Sequence, residues 1–374
     1  MTSLLSLHGD SLRWISATGG TTPRRLVAAD DRLTADRAAR LAGQRTGMVW
    51  RGDYRGARQL LTALGRRIPV TPGRHGTDLA EAFREQRRNQ ARRAGRLGML
   101  LVPIEPGFVI PLRNAPDVTR ACAEVYPELD GPSVIALREL LGVIGAHEWR
   151  TAGVPVVALG TGPDGAPVRI RPRHGVFAPT RNEYIDLVAA APLPCRSRAI
   201  DVGTGTGVLA ALLATRGVAR IVATDITASA VACATDNMRD LGLSARVEVQ
   251  LTDLFPTGRA PLVVCNPPWL PAAARTDLDR AVYDPGSRML TGFLHGLAAH
   301  LEPAGEGWLV LSDLAERLGL RRADELTLAI HAAGLRVIAR TDTTPAHSRA
   351  ADPRDPLHAA RSAEQISLYR LTAA

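Results

Sequence analysis

Residues 199–210 read Ala-Ile-Asp-Val-Gly-Thr-Gly-Thr-Gly-Val-Leu-Ala, a short apolar run that enters a turn with glycine at every second position and leaves it as a helix. Placing Gly203, Gly205 and Gly207 between a strand and a helix allows the backbone to come close to a neighbour that a Cβ would block. A strand followed at once by a helix finds cover for both of its faces most readily in a layered α/β domain with a largely parallel sheet. The residues downstream repeat that rhythm. Short β-branched runs at 220–224, 247–251, 262–265, 307–311 and 335–340 alternate with helical stretches, which predicts one α/β unit over residues 175–374.

The ends of those strands carry the chemistry. The second ends in Asp225, 24 residues after Asp201 and placed to accept both hydroxyls of a ribose. The third ends in Thr252-Asp253-Leu254-Phe255, where a carboxylate beside an apolar wall can hold an adenine amine. The glycine spacing is GxGxG and not the GxGxxG of dinucleotide sites, which argues against NAD and FAD. Composition closes further routes: all 46 basic residues are arginine and lysine is absent. Without side-chain amines there is no lysine Schiff base, no lysine general base and no P-loop lysine.

The fourth strand ends in Val264-Cys-Asn-Pro-Pro-Trp269. An amide or exocyclic ring nitrogen is a poor nucleophile, because its lone pair is delocalised and must rehybridise before it attacks carbon. Oriented acceptors solve that problem without a strong base. The Asn266 side-chain oxygen and the Pro267 carbonyl can each accept one N–H, which aims the nitrogen and stabilises the positive charge that develops on it. The two prolines stiffen the loop, and Trp269 offers a face for a flat acceptor. A core aromatic at Trp269 is the plainer alternative.

With these four strand-end motifs in order, the segment 177–311 resembles the class I S-adenosylmethionine-dependent methyltransferases, in the branch that methylates planar nitrogens. The resemblance implies a Rossmann-like seven-stranded sheet with a reversed final strand. It also implies S-adenosyl-L-methionine as cofactor. Asp201 with Gly203, Thr204, Gly205 and Gly207 would hold the methionine moiety, Asp225 the ribose, and Asp253 with Leu254 the adenine. Asn266 would lie where cofactor and acceptor meet. The segment 177–188 looks like the stretch before the first strand of HemK-type glutamine methyltransferases, making Arg181 and Glu183 candidates for a substrate-binding rim; a simple helix N-terminus is the alternative. Residues 283–294 and 301–310 are also HemK-like.

The first 174 residues depart from that family, whose members carry a short helical bundle there. Here short strands are expected at 99–103 and 108–111, an amphipathic helix at 133–144 and a hairpin at 154–171, so residues 1–174 form a mixed α/β accessory region. Residues 1–100 hold 19 Arg against 8 acidic residues, while residues 101–374 hold 27 against 29. The excess is densest at 83–96, preceded by Thr77-Asp78 as a helix cap. Arg84, Arg88, Arg92 and Arg96 recur every fourth residue, one helical stripe about 18 Å long, long enough to track several phosphates. GC-driven codon usage with a solvated face is the competing account. Aromatic interleaving is nearly absent, which weakens a base-stacking platform.

The four cysteines form no CxxC pair, His147, His174 and His358 have no metal-ligand spacing, and no run of 18 apolar residues occurs. These features suit a cytoplasmic protein without a metal and without a membrane partner. Three functions follow from the residues. The first is an N-methyltransferase acting on a translation-related macromolecule, with RNA, a ribosomal particle or a translation protein as partner. The second is the same chemistry on a small metabolite bearing an amide, guanidine or amino-heterocycle. The third is a non-catalytic RNA-binding or assembly module.

Overall fold

The computed structural model describes residues 2–7, 9–68, 78–345, 352 and 355–374. Among these, contacts divide the chain into two units, one within residues 1–75 and 82–148 and the other within 76–81 and 149–374.

The first unit is built on a six-stranded mixed sheet. β1 (Thr2–Leu7) and β2 (Asp10–Ile15) form an antiparallel hairpin. β3 (Arg25–Ala29), α1 (Ala35–Gly43), β4 (Thr46–Trp50) and α2 (Tyr54–Arg67) follow, then α3 (Leu79–Leu97), β5 (Leu100–Ile104), the short α4 (Thr119–Ala123), β6 (Ser133–Ala136) and α5 (Leu137–Ala152). The strand order is β1-β2-β6-β5-β4-β3. The helix expected over 133–144 begins instead as β6. All four residues of β6 are buried between β2 and β5, so they carry no polar alternation that would mark a strand. Residues 108–111 do not form a strand either, because Gly107 and Phe108 both take positive φ (74° and 61°) and turn the chain back on itself.

Asp78 accepts the backbone N–H groups of Ala80 at 2.9 Å and Glu81 at 3.2 Å, which caps α3; its expected companion Thr77 lies outside the described residues. Arg84, Arg88, Arg92 and Arg96 are all exposed. Arginines off that stripe are used internally: Arg93 donates to the carbonyls of Ile68 (2.8 Å) and Gly65 (2.9 Å) at the end of α2, and Arg87 lies over the Phe83 ring.

The second unit opens with the hairpin β7 (Val154–Pro155) and β8 (Arg169–Ile170). α6 (Glu183–Ala190), β9 (Arg198–Val202), α7 (Val208–Thr215), β10 (Arg220–Asp225), α8 (Ala228–Asp240), β11 (Val247–Leu251) and β12 (Ala260–Cys265) come next. After the short α9 (Asp277–Arg280) run α10 (Arg288–His300), β13 (Leu301–Ser312), α11 (Leu314–Arg317), α12 (Glu325–Ala332), β14 (Leu335–Thr343), α13 (His358–Ser362) and β15 (Ile366–Ala373). The sheet order is β11-β10-β9-β12-β13-β15-β14, parallel throughout except that β15 runs against both neighbours. This is the seven-stranded sheet with a reversed last strand that the motifs imply. Arg370 on β15 fixes the inserted strand with a bidentate pair to Glu306 of β13, at 2.6 and 2.8 Å.

Both faces of the sheet are covered. Ala199, Ile221, Val264 and Val310 pack with α6 and α7 on one side, while their strand neighbours Ile200, Val263 and Leu309 pack with α10 and α12 on the other. The division falls near residue 148 and not at the expected 174/175. Polar bonds explain the difference: Arg171 N–H donates to the Asn237 side chain at 2.8 Å, and Arg173 pairs with Asp236 at 2.5 Å, so the hairpin belongs to α8 and the second unit.

Candidate functional site

The carboxyl ends of the central strands line up. Val202 lies opposite Thr224 on one side and Cys265 on the other, and Asp225 lies opposite Leu251. The four motifs therefore emerge together along one edge of the sheet, where open α/β sheets form their binding crevices.

The glycine turn is clamped from several directions. Asp201, 1% exposed, accepts the Thr204 hydroxyl at 2.6 Å and the Ala210 N–H at 3.0 Å on the same oxygen, which ties the turn to the start of α7. Burial raises its pKa from 3.8 to about 6, partly offset by those two bonds. Thr204 N–H donates to the Thr224 carbonyl at 2.8 Å, and Asn237 of α8 donates to the Thr206 carbonyl at 2.9 Å. The three glycines serve different ends. A Cβ on Gly207 (φ 81°) would come within 2.9 Å of Met238, and one on Gly203 (φ 71°) would collide with Met289. A Cβ on Gly205 (φ 56°) would meet nothing within 4 Å, so Gly205 alone faces open space.

Asp225 bridges this turn to the next loop. One carboxylate oxygen accepts the Gly205 N–H at 3.1 Å, and the other accepts the Thr227 N–H and hydroxyl at 2.9 and 2.8 Å. A carboxylate offers about four lone-pair directions, so acceptor capacity remains. Beside it stand Ile226, 63% exposed, and Leu251, 60% exposed. Apolar side chains left in water next to a polar anchor make a surface for a flat ring. Leu254 takes a left-handed φ of 63°, costly for a branched residue, and its carbonyl accepts the Thr224 hydroxyl. Asp253 is exposed beside it.

Asn266 leaves the end of β12, and its amide oxygen accepts the Trp269 indole N–H at 2.9 Å. Pro267 is buried between them. The Trp269 ring packs half-buried against both core layers, and the Arg181 guanidinium lies 5.6 Å from its centroid. Trp269 thus combines core packing with a hydrogen bond to Asn266. Arg181 joins the site through Trp269. Glu183 begins α6, and its charge together with that of Asp201 bears on the buried Tyr184 hydroxyl, whose pKa is raised chiefly by burial.

Several residues that shape the site gave no motif. Asp284 accepts the Met289 and Leu290 N–H groups at 2.9 and 3.2 Å and so caps α10, which carries Met289 against Gly203. Asn237 has a readable signal, a polar residue on the apolar face of α8 beside Cys233, Ala234 and Met238. Ile226 has one also, an apolar residue placed directly after Asp225 at the end of a strand. Among the described residues, no group of three or more His, Cys, Asp or Glu is placed to hold a metal ion.

Residues 168–323 match the family model of the methyltransferase small domain. The second unit is a class I, HemK-like methyltransferase domain. The release factor glutamine methyltransferase of Cereibacter sphaeroides is 33% identical over 168 residues, 39% of this chain and 60% of that protein. That of Moorella thermoacetica is 39% identical over 127 residues, 31% of this chain and 44% of its own. The tRNA1(Val) (adenine(37)-N6)-methyltransferase of Cytophaga hutchinsonii is 31% identical over 121 residues, covering 30% and 50%. The chain spans about half the length of these relatives.

Proposed function

We propose that the protein is an S-adenosylmethionine-dependent N-methyltransferase acting on a planar nitrogen of a translation-related macromolecule. The observation that carries this reading is the Asn266 amide oxygen, held at the end of β12 by the Trp269 indole at 2.9 Å, on the same sheet edge as the Asp225 loop. The local geometry fits the cofactor. Gly205 leaves open the space a Cβ would fill, Asp225 keeps acceptor capacity for a diol, and Ile226 and Leu251 supply apolar cover. Asp253 and Leu254 would take the adenine end, and Gly203, Thr204 and Gly207 with Asp201 keep the turn in shape. When bound, the cofactor supplies an electrophilic methyl group on sulfonium sulfur.

The chain's own residues then have one task, to make a delocalised nitrogen attack. The second lone pair on Asn266 Oδ1 and the Pro267 carbonyl accept the two N–H bonds of the acceptor and fix its direction. Both oxygens carry partial negative charge and stabilise the cation as it forms. Trp269 bounds the position of the flat group, and Arg181 lies against its ring. Two of the relatives act, by their names, on release factors and one on a tRNA adenine, and a glutamine amide and an adenine amine share this donor geometry.

The exposed arginine stripe on α3 favours RNA, or a particle containing it, as the acceptor. Incubation of the full chain with methyl-labelled cofactor and separate total RNA, ribosomal and soluble protein fractions tests this. Label is expected in an RNA or protein fraction. Label confined to a small-molecule extract would instead favour a metabolite acceptor, and no cofactor binding at millimolar concentration would favour a non-catalytic module.

A further inference from the structure

Glu364 stands between α13 and β15, outside the residues 168–323 that match the methyltransferase family, and its side chain is 1% exposed. A carboxylate taken this far out of water is stable as a charge only where partners offset the lost hydration. One oxygen accepts the Ser312 hydroxyl at 2.6 Å. The other takes no hydrogen bond among the described residues and lies 3.7 Å from the guanidinium of Arg181. Burial raises the Glu364 pKa, while Ser312, Arg181 and Arg361 pull it back down. Arg181 in turn lies over Trp269, and Trp269 holds the Asn266 oxygen.

We propose that Glu364 is a positioning residue, holding Arg181 against Trp269 and through the indole fixing the acceptor oxygen of Asn266. The task given to Asn266 rests on the methyl-transfer reading; the chain of contacts does not. A carboxylate that merely pinned β15 to β13 would act through Ser312 alone. Glu364→Gln separates the two roles, since a glutamine oxygen still accepts the Ser312 hydroxyl but no longer attracts Arg181.

The full chain labelled with 15N-tryptophan has five indole N–H groups, one for each tryptophan. The Trp269 resonance is identified by its loss in Trp269→Phe. In Glu364→Gln this resonance is expected to move in the same direction as in Arg181→Met, and the double variant to move it no further than Arg181→Met alone. The Trp308 resonance, whose indole donates to Glu306 at 2.8 Å, serves as the internal control and is expected to stay in place. Cofactor affinity should remain within about twofold, because the contacts around Gly205 and Asp225 are untouched.

An unmoved Trp269 resonance in Glu364→Gln, or additive shifts in the double variant, would overturn the proposal. If Glu364→Gln does not fold, Glu364→Asp keeps the charge but draws it back by one methylene. A smaller shift of the same sign is then expected, and no shift overturns the idea. Failure of the unmodified chain to methylate any fraction would sink the functional reading and leave the resonance result standing.

Discussion

Asn266 and Asp225 lie on one sheet edge and answer to different measurements. Asn266→Ala removes one preorganised acceptor from the reacting nitrogen, which should cost on the order of 2–4 kcal/mol of transition-state stabilisation. Turnover should fall by roughly 30- to 1,000-fold at nearly unchanged cofactor affinity; full turnover in this variant would show the acceptor site to be elsewhere. Asp225→Ala should do the reverse. It takes away a charged acceptor and orphans the Gly205 and Thr227 donors, so calorimetric titration should find cofactor binding weakened by roughly 10–100-fold.

Asp201 makes a separate prediction. Its folded pKa of about 6 exceeds the ordinary 3.8, so the native state binds this proton more tightly than the unfolded chain does. Stability should therefore fall as pH rises from about 4 to about 6 and level off above, by at most about 3 kcal/mol. Asp201→Asn keeps one oxygen to accept both Thr204 and Ala210, and urea unfolding of that variant should lack this part of the decline. An unchanged pH profile would place the titration on another group.

At the scale of the element, the glycine turn separates packing from binding. Gly207→Ala meets a left-handed φ of 81° and puts a methyl 2.9 Å from Met238 and 3.2 Å from Ala234. It should cost roughly 2–4 kcal/mol of stability, the sum of a left-handed penalty and overpacking. Gly205→Ala has the same backbone penalty, about 1 kcal/mol, and no clash. Its effect should appear in cofactor affinity, lowered more than tenfold, at a melting temperature only slightly reduced. Equal losses of stability in the two variants would contradict the division of roles. The same element marks what could be read from the chain. Glycine, carboxylate and proline motifs punctuate the strands of the second unit, and β9 and β11 fall where they were expected. Fully buried segments such as β6 have no polar alternation to declare themselves, and the contacts of Glu364 with Ser312 and Arg181 are set by tertiary neighbours far along the chain.

At the scale of the whole molecule, the positive charge and the methyltransferase motifs lie in different parts of the sequence, 19 Arg against 8 acids in residues 1–100 and near balance afterwards. A codon-usage bias would put arginine in place of lysine throughout the chain, but would not remove acids from one end. Arg84, Arg88, Arg92 and Arg96 are all exposed, with Arg92 also donating to the Asn89 side chain, and an exposed stripe of guanidinium groups suits a polyanion. Replacing the four with glutamine preserves helix-forming length and leaves the Arg93 cap of α2 intact, so circular dichroism should change little. Binding of a fluorescent structured RNA, followed by anisotropy from 50 to 200 mM salt, should then lose both affinity and salt dependence. Each phosphate contact contributes roughly 0.7–0.9 to the slope of log K against log salt, so four lost contacts should flatten it by about 3. A slope that stays steep would put the RNA contacts elsewhere. A shallow slope in both proteins, with methyl label still entering a protein fraction, would make the stripe a docking site for an acidic polypeptide and identify the acceptor as an amide.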